Sequence, residues 1–341
     1  MNRCLLLYII LILLAHNISA QERPKLIGEI EFFGYAGIDP DKVRAALPFH
    51  EQENFVGEEY AAKQEQAYNA IKSLTGRYPT GINNVCCDKR GNWIIFIGLS
   101  GKTFPYRPKP NGTARLPEKI LDMYERFMKA LFEGVQKGTF SEDRSKGYAL
   151  AEYPPQRAVQ LEMRAFAVNH GALLRSVLET SSDDQQRIVA AQLLGYARQS
   201  DAQLASLVKA TDDSNDTVRN NATRALLVLA ASSAKIAGRI PVKHFTELLL
   251  SGTWSDLNKS SGLLDFVTAK KRDEKALAQL KRKEILERLI EMARWRSHWE
   301  SAAKLLGRVA GINEQQLLQL VDEGKAEVII KELQDKLGLG L

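Results

Sequence analysis

A small residue recurs at positions 190, 222, 262 and 302, at spacings of 32, 40 and 40, and each time it centres an apolar helical face. In the clearest copy, Val218, Ala222, Ala225, Leu226 and Leu229 lie at i, i+4, i+7, i+8 and i+11, which puts them on one side of a helix. Arg187-Ile-Val-Ala190-Ala-Gln-Leu193-Leu194 aligns with Arg219-Asn-Asn-Ala222-Thr-Arg-Ala225-Leu226. The later copies are Gly262 with Asp265-Phe266 and Ala302 with Leu305-Leu306. A unit of this length cannot bury its apolar face alone, so a fixed period points to stacked repeats rather than to one large core. The small pivot is where neighbouring helices approach most closely.

Another apolar helix and an acidic turn precede the pivot helices. Leu173 to Leu178 comes before Ser181-Ser-Asp-Asp, Leu204 to Val208 before Asp212-Asp-Ser-Asn, and Phe245 to Leu250 before Trp254-Ser-Asp. The Asp, Ser and Asn side chains are expected to cap the following helix. The phrase DDSNDTVRNNATRALLVLA at 212–230 resembles a HEAT repeat, with Asp213, Val218-Arg219 and Ala225-Leu226 at the positions that define it. The resemblance covers roughly residues 155–341 and implies a solenoid of helix pairs that binds partners along a concave surface. The third copy departs from the pattern, because Asp265 stands where Ala225 does, and a bent or loosely packed unit is expected there. Trp254 and the Trp295-Arg-Ser-His298-Trp299 cluster could fill such a gap. If the pivots are buried, the opposite face offers Gln192, Asn220, Arg224, Glu300 and Lys304 as partner-binding candidates. Its mixed charge suits a protein or peptide; for any single residue the alternative is ordinary solvated surface.

At the other end, Arg3 is followed by an apolar run from Cys4 to Ala15 and the small pair Ser19-Ala20. This reads as a signal peptide over 1–20. The run of 12 is short of the ~20 residues a membrane-spanning helix needs, so an uncleaved anchor fits less well. A periplasmic or extracellular protein is expected. Residues 21–104 then read as a small module of strand, helix, helix, strand, strand. Lys25 to Tyr35 partly alternates, Asp39-Pro40 opens a helix, Glu58 to Thr75 is a longer one closed by Gly76, and two apolar runs flank Asp88-Lys89-Arg90-Gly91. With the opening IGEIEFFGYAGIDPDKVRAAL, that order resembles a POTRA (polypeptide-transport-associated) module, which implies partner binding at the sheet edge; a plain capping role is the alternative. Residues 105–154 form a connector: the extended Tyr106–Gly112 linker, a helix with the stripe Ile120, Leu121, Tyr124, Phe127, Met128, Leu131 and Phe132, and a polar loop at 138–147. The fold class is therefore multidomain α+β, a β-α-α-β-β module followed by an α-solenoid of HEAT-like pairs.

Chemistry is sparse. Gly101-Lys102-Thr103 has the ending of a phosphate loop, but Phe96 stands where the first glycine belongs and three prolines follow at 105, 108 and 110. His50, His170, His244 and His298 form no metal or nucleophile spacing, so no catalytic residue, metal site or cofactor is assigned. Cys86 and Cys87 are the cysteines left after export. Strand neighbours point to opposite faces, so two unlinked thiols are expected, with a vicinal disulfide or an intermolecular bridge as alternatives. A thiol-redox protein or enzyme using Cys86 and Cys87, or a pocket between the domains, is the competing functional class. The net charge of +6 compels no nucleic-acid binding. It resembles the excess of one run, Lys270, Lys271, Arg272, Lys275, Lys281, Arg282 and Lys283, which could meet an anionic surface or simply be solvated and paired with Glu284, Glu287 and Glu291. The expected function is an exported, non-enzymatic scaffold for protein partners.

Overall fold

The computed structural model describes residues 26–338, apart from 36, 56, 100–103, 140 and 271–273. The signal peptide, the Gly101-Lys102-Thr103 phrase and the centre of the basic run lie outside the described residues.

The N-terminal elements are β1 (Ile27–Phe33), α1 (Pro40–Ala46), α2 (Gly57–Thr75), β2 (Gly81–Cys86) and β3 (Trp93–Gly98). Asp39 accepts from the Asp41 N–H and caps α1. Gly76, at φ +78°, ends α2 in a backbone region that side chains disfavour. The hairpin loop is organised by Asp88, whose Oδ1 accepts from the N–H groups of Arg90 and Asn92, both at 2.8 Å. The sheet order is β1-β3-β2, with β1 parallel and β2 antiparallel to the central strand.

Alternation along β3 splits its side chains between two cores. Ile95 and Ile97 join Ile27, Ile30, Val43 and Ile71 beneath α1 and α2. Ile94 and Phe96, with Phe33 of β1, face the other way into the core of the helical array. The two regions meet at the sheet and share this core. Fully burying a side chain such as Phe96 contributes roughly 2–3 kcal/mol, so the shared face matters to both.

The array begins with α3 (Glu118–Gln136) and α4 (Pro154–Thr180), the latter bent at His170. It continues through α5 (Asp184–Leu194), α6 (Asp201–Ala210), α7 (Asp216–Ser232), the short α8 (Ala234–Ala237), α9 (Val242–Leu248) and α10 (Trp254–Lys270). It closes with α11 (Glu274–Leu280), α12 (Lys283–Ala293), α13 (Glu300–Ala310), α14 (Glu314–Asp322) and α15 (Ala326–Leu337). The four pivots sit on α5, α7, α10 and α13. The α7 helix packs against both α5 and α10, and α10 against α13, giving a helical repeat solenoid. Ala190, Ala222 and Ala302 are fully buried. Gly262 is close-packed as well: a Cβ there would lie 3.1 Å from Leu227 Cδ1.

Several expectations need correction. The Asp and Asn caps hold at Asp183 for α5 and Asn215 for α7, but Trp254-Ser-Asp is not a turn before α10, which already begins at Trp254; Asp213 is buried against Arg187. Asp265 does not loosen the third copy, because it accepts ion pairs from Lys304 at 2.7 Å and Arg308 at 2.6 Å. The 106–112 linker is extended but held. Its Gly112 exchanges hydrogen bonds with Thr180 and Ser182, and Arg107 donates to carbonyls of Asp212 and Lys209. On α3 the buried stripe is Ile120, Met123, Tyr124 and Phe127, while Phe132 is 56% exposed, since one face of a helix cannot hold all seven apolar residues. The polar 138–147 loop contains a strand, β4 (Glu142–Asp143), paired with β5 (Leu150–Ala151). Cys86 and Cys87 are joined as a vicinal disulfide. Cys87 lies past the end of β2, so the alternation of strand side chains does not govern it.

Candidate binding site

The two outer edges of the sheet differ. Along β1, the N–H of Ile27 donates to the Glu53 carbonyl and the Ile27 carbonyl accepts from Gln52. The Trp295 indole N–H donates to the Phe32 carbonyl at 2.9 Å, and the N–H groups of Gly34 and Tyr35 donate to Glu291. Arg296 forks across Glu31 at 2.7 Å and Glu51 at 2.5 Å. Burial pushes the Glu31 carboxyl up from its ordinary value, with Arg296 opposing the shift. The loop after α12 thus closes this edge, and Trp295 wedges its ring beside Phe33 and Phe96.

The β2 edge is covered less: among the described residues one side chain, Gln64, bonds its outward main-chain groups. Trp93 of β3 and Leu99 just past its end donate main-chain N–H groups to Leu26 and Phe33 on the β1 side, so the alternate residues Ile94, Phe96 and Gly98 bond β2. Their partners are Val85, Asn83 and Gly81, which leaves the main-chain groups of Ile82 and Asn84 turned outwards. The Ile82 carbonyl accepts from the Gln64 side chain. At the start of β2 a cleft of about 670 Å³ opens between the sheet and the solenoid turns. Its walls include Tyr68 and residues 80–83 on one side, Tyr106 and Lys109 on the connector, and Asp184, Asn215 and Asp216 at the starts of α5 and α7. Thr80 Oγ1 and Asn83 Nδ2, both at this wall, are buried with no hydrogen-bond partner among the described residues. Lys109 pairs with Asp184 at 3.0 Å.

Behind the cleft the repeats are tied by buried ion pairs. Arg187, 0% exposed, grips Asp213 through two 2.9 Å hydrogen bonds, and Arg219 reaches Asp256 at 3.0 Å. Tyr106 stacks under the Arg219 guanidinium at 3.7 Å and donates to Asp256 at 2.5 Å. Burial and the neighbouring Asp256 push the Tyr106 hydroxyl up to about 12.

The sequence-derived binding candidates meet different fates. Gln192 is 6% exposed, and Arg224 is ion-paired with Glu142 of β4, so the hairpin covers this part of the face. Lys304 is held by Asp265, and Asn220 donates to its neighbour Asn221. Glu300 is exposed in the first turn of α13. Of the basic run, Arg282 pairs with Glu247 and Glu284, and Lys283 with Glu287. Among the described residues no group of three or more His, Cys, Asp or Glu could hold a metal ion, and no helix is long and apolar enough to cross a membrane.

Sequence reasoning missed Lys259 on α10. Burial pushes its ammonium down to about 8, with Arg224 and Arg144 adding to the shift and Glu142 opposing it. His298 is lowered too, by burial first and then by Lys259. The repeat alignment contained the signal, since Lys259 stands three residues before its pivot, where Arg187 and Arg219 stand before theirs.

No family model and no curated protein matches the chain. Among solved structures, it is similar to a designed armadillo repeat protein at a TM-score of 0.37 and 15% identity, over 53% of this chain and 90% of that one. It is similar to a second engineered protein at a TM-score of 0.38 and 17% identity, over 63% of this chain and 93% of that one.

Proposed function

We propose that the chain is an exported protein-binding scaffold, in which a POTRA-like module and a HEAT-like solenoid together present the free edge of β2 to an extended segment of a protein partner. The observation that carries this reading is the contrast between the two sheet edges: β1 is sealed by Trp295, Glu291 and Arg296, while the Ile82 N–H and the main-chain groups of Asn84 turn away from β3 at the β2 edge, although the Ile82 side chain is buried in the core. Strand addition satisfies main-chain groups first and therefore tolerates varied partner sequences. The unpartnered Asn83 Nδ2 would give the incoming backbone one further hydrogen bond, whereas Thr80 Oγ1 is enclosed between Gly98 and Gly252.

The test places a photo-reactive benzoylphenylalanine at Asn84 on the edge or, as a control, at Leu161, which is 48% exposed on α4. In the native cells, the Asn84 position should yield a covalent adduct with a protein and the Leu161 position should not. Adducts equal at both positions, or at neither, would sink the reading. Export is tested separately: the protein recovered from those cells should begin near Gln21, and an intact Met1 end would contradict it.

A further inference from the structure

Three rungs of one ladder can be compared by their place relative to the pivots. Arg187 and Arg219, three residues before Ala190 and Ala222, each meet a carboxylate from the next repeat, Asp213 and Asp256. Lys259, three before Gly262, is the next cation in that register. The segment that should answer it, Ala293 to His298 before α13, reads Ala-Arg-Trp-Arg-Ser-His and contains no carboxylate. Arg294 and Arg296 there are themselves engaged, by Glu327 and by Glu31 and Glu51.

The surroundings of Lys259 sharpen the contrast. Among the described residues no carboxylate lies within ion-pairing distance of its ammonium, while Arg144 and Arg224 are close enough to repel it. The one acid among these neighbours, Glu142, is shared between those two arginines. One helical turn away Ser255 Oγ has no hydrogen-bond partner among the described residues, nor have Trp254 Nε1 and His298 Nε2, whose rings meet at 5.4 Å. Apart from Glu142, which the two arginines occupy, every group in the cluster can donate; the other acid nearby, the exposed Glu300, acts on His298 and does not pair with Lys259. A partly buried cation left uncompensated is costly to a fold, which makes it a candidate for work outside the fold.

We propose that Lys259, flanked by Arg144 and Arg224, is the receptor for an oxyanion supplied from outside the chain, which takes the place towards Lys259 that Asp213 and Asp256 take towards the two arginines. A carboxylate or a phosphate has the required chemistry, and the charge-assisted contact is of the kind already seen at the other two rungs. The site is separate from the β2 edge, so either can fail without the other.

Lysine amines of the full chain are reductively methylated with ¹³C-formaldehyde, and the Lys259 signal is identified by its loss in Lys259→Met. In chloride its titration midpoint should lie near 8. Inorganic phosphate or an acetylated tetraglutamate amide, at matched ionic strength, should raise the midpoint by about one unit or more, a tenfold coupling between proton and ligand. A tetraglutamine peptide should not. A response to phosphate alone assigns a free or esterified phosphate, and a response to tetraglutamate alone assigns an acidic peptide. By calorimetry, Lys259→Arg should keep the affinity for the responding probe within about threefold and Lys259→Met should lose about tenfold or more. A midpoint that moves by less than about 0.3 unit in both probes, or a Lys259→Met variant that binds as tightly as the parent, overturns the proposal.

Discussion

Replacing Lys259 with methionine should stabilise the protein at neutral pH, although it deletes a charged residue from the middle of α10. The ammonium is held down from 10.5 to about 8, and each unit corresponds to 1.36 kcal/mol. The full shift is a penalty of about 3 kcal/mol; because the side chain keeps some solvent access, about 1–3 kcal/mol is expected. Methionine preserves the apolar stem and removes the charge. The sign follows from proton counting. Below the folded value both states hold the proton, so the penalty is complete. Between about 8 and 10.5 the folded state has lost the proton that the unfolded state still binds, and the wild type recovers stability as pH rises. Above 10.5 the two proteins should match. By calorimetry, with unfolding entropy of about 2.1 cal/mol/K per residue, the gain is an increase of roughly 1.5–4.5 °C in Tm at pH 7. A Tm that falls at pH 7, or a gain that persists unchanged to pH 10.5, refutes the reasoning.

Other perturbations test the fold that frames the site. Arg187→Ala strands the buried Asp213 carboxylate and should cost about 3–5 kcal/mol by urea unfolding, far more than Arg126→Ala at an exposed pair with Glu162, which should cost less than about 1 kcal/mol. Gly252→Ala sets a Cβ 2.4 Å from Thr80 Cβ, where the solenoid touches the start of β2, and should destabilise by about 1–3 kcal/mol; a neutral result would mean this contact yields. A fragment spanning 26–104 should show no cooperative thermal transition, because Phe33, Ile94 and Phe96 would lose the helices that cover them; a sharp transition by circular dichroism would show that the module cores itself.

The parts of this architecture that repeat locally were legible. The pivots at 190, 222, 262 and 302 mark α5, α7, α10 and α13 because a small residue every 32 to 40 positions is a direct imprint of helix stacking. The Asp39-Pro40 start and Gly76 stop of the first two helices were readable for the same reason, since caps act within one turn. What escaped was non-local. Nothing near Trp295 announces that its indole will bond Phe32, 263 residues away, and that contact decides which sheet edge stays open. The 138–147 loop reads as polar surface, yet Glu142 reaches Arg224 and removes it from the partner-binding candidates. Lys259 is intermediate: its register was visible, but that no carboxylate answers it is a property of the packed neighbours.

The central claim, an open β2 edge that takes a partner strand, is tested most directly by amide hydrogen exchange in the full chain, alone and with the partner captured through Asn84. In the free protein the Ile82 and Asn84 amides should exchange rapidly, while Ile95 and Ile97, bonded towards β1, exchange slowly. On binding, Ile82 and Asn84 should become protected, with the amides of α7 and α13 unchanged. Protection that appears instead along α7 and α13, with Ile82 and Asn84 still exchanging freely, would place the partner on the solenoid and contradict the account.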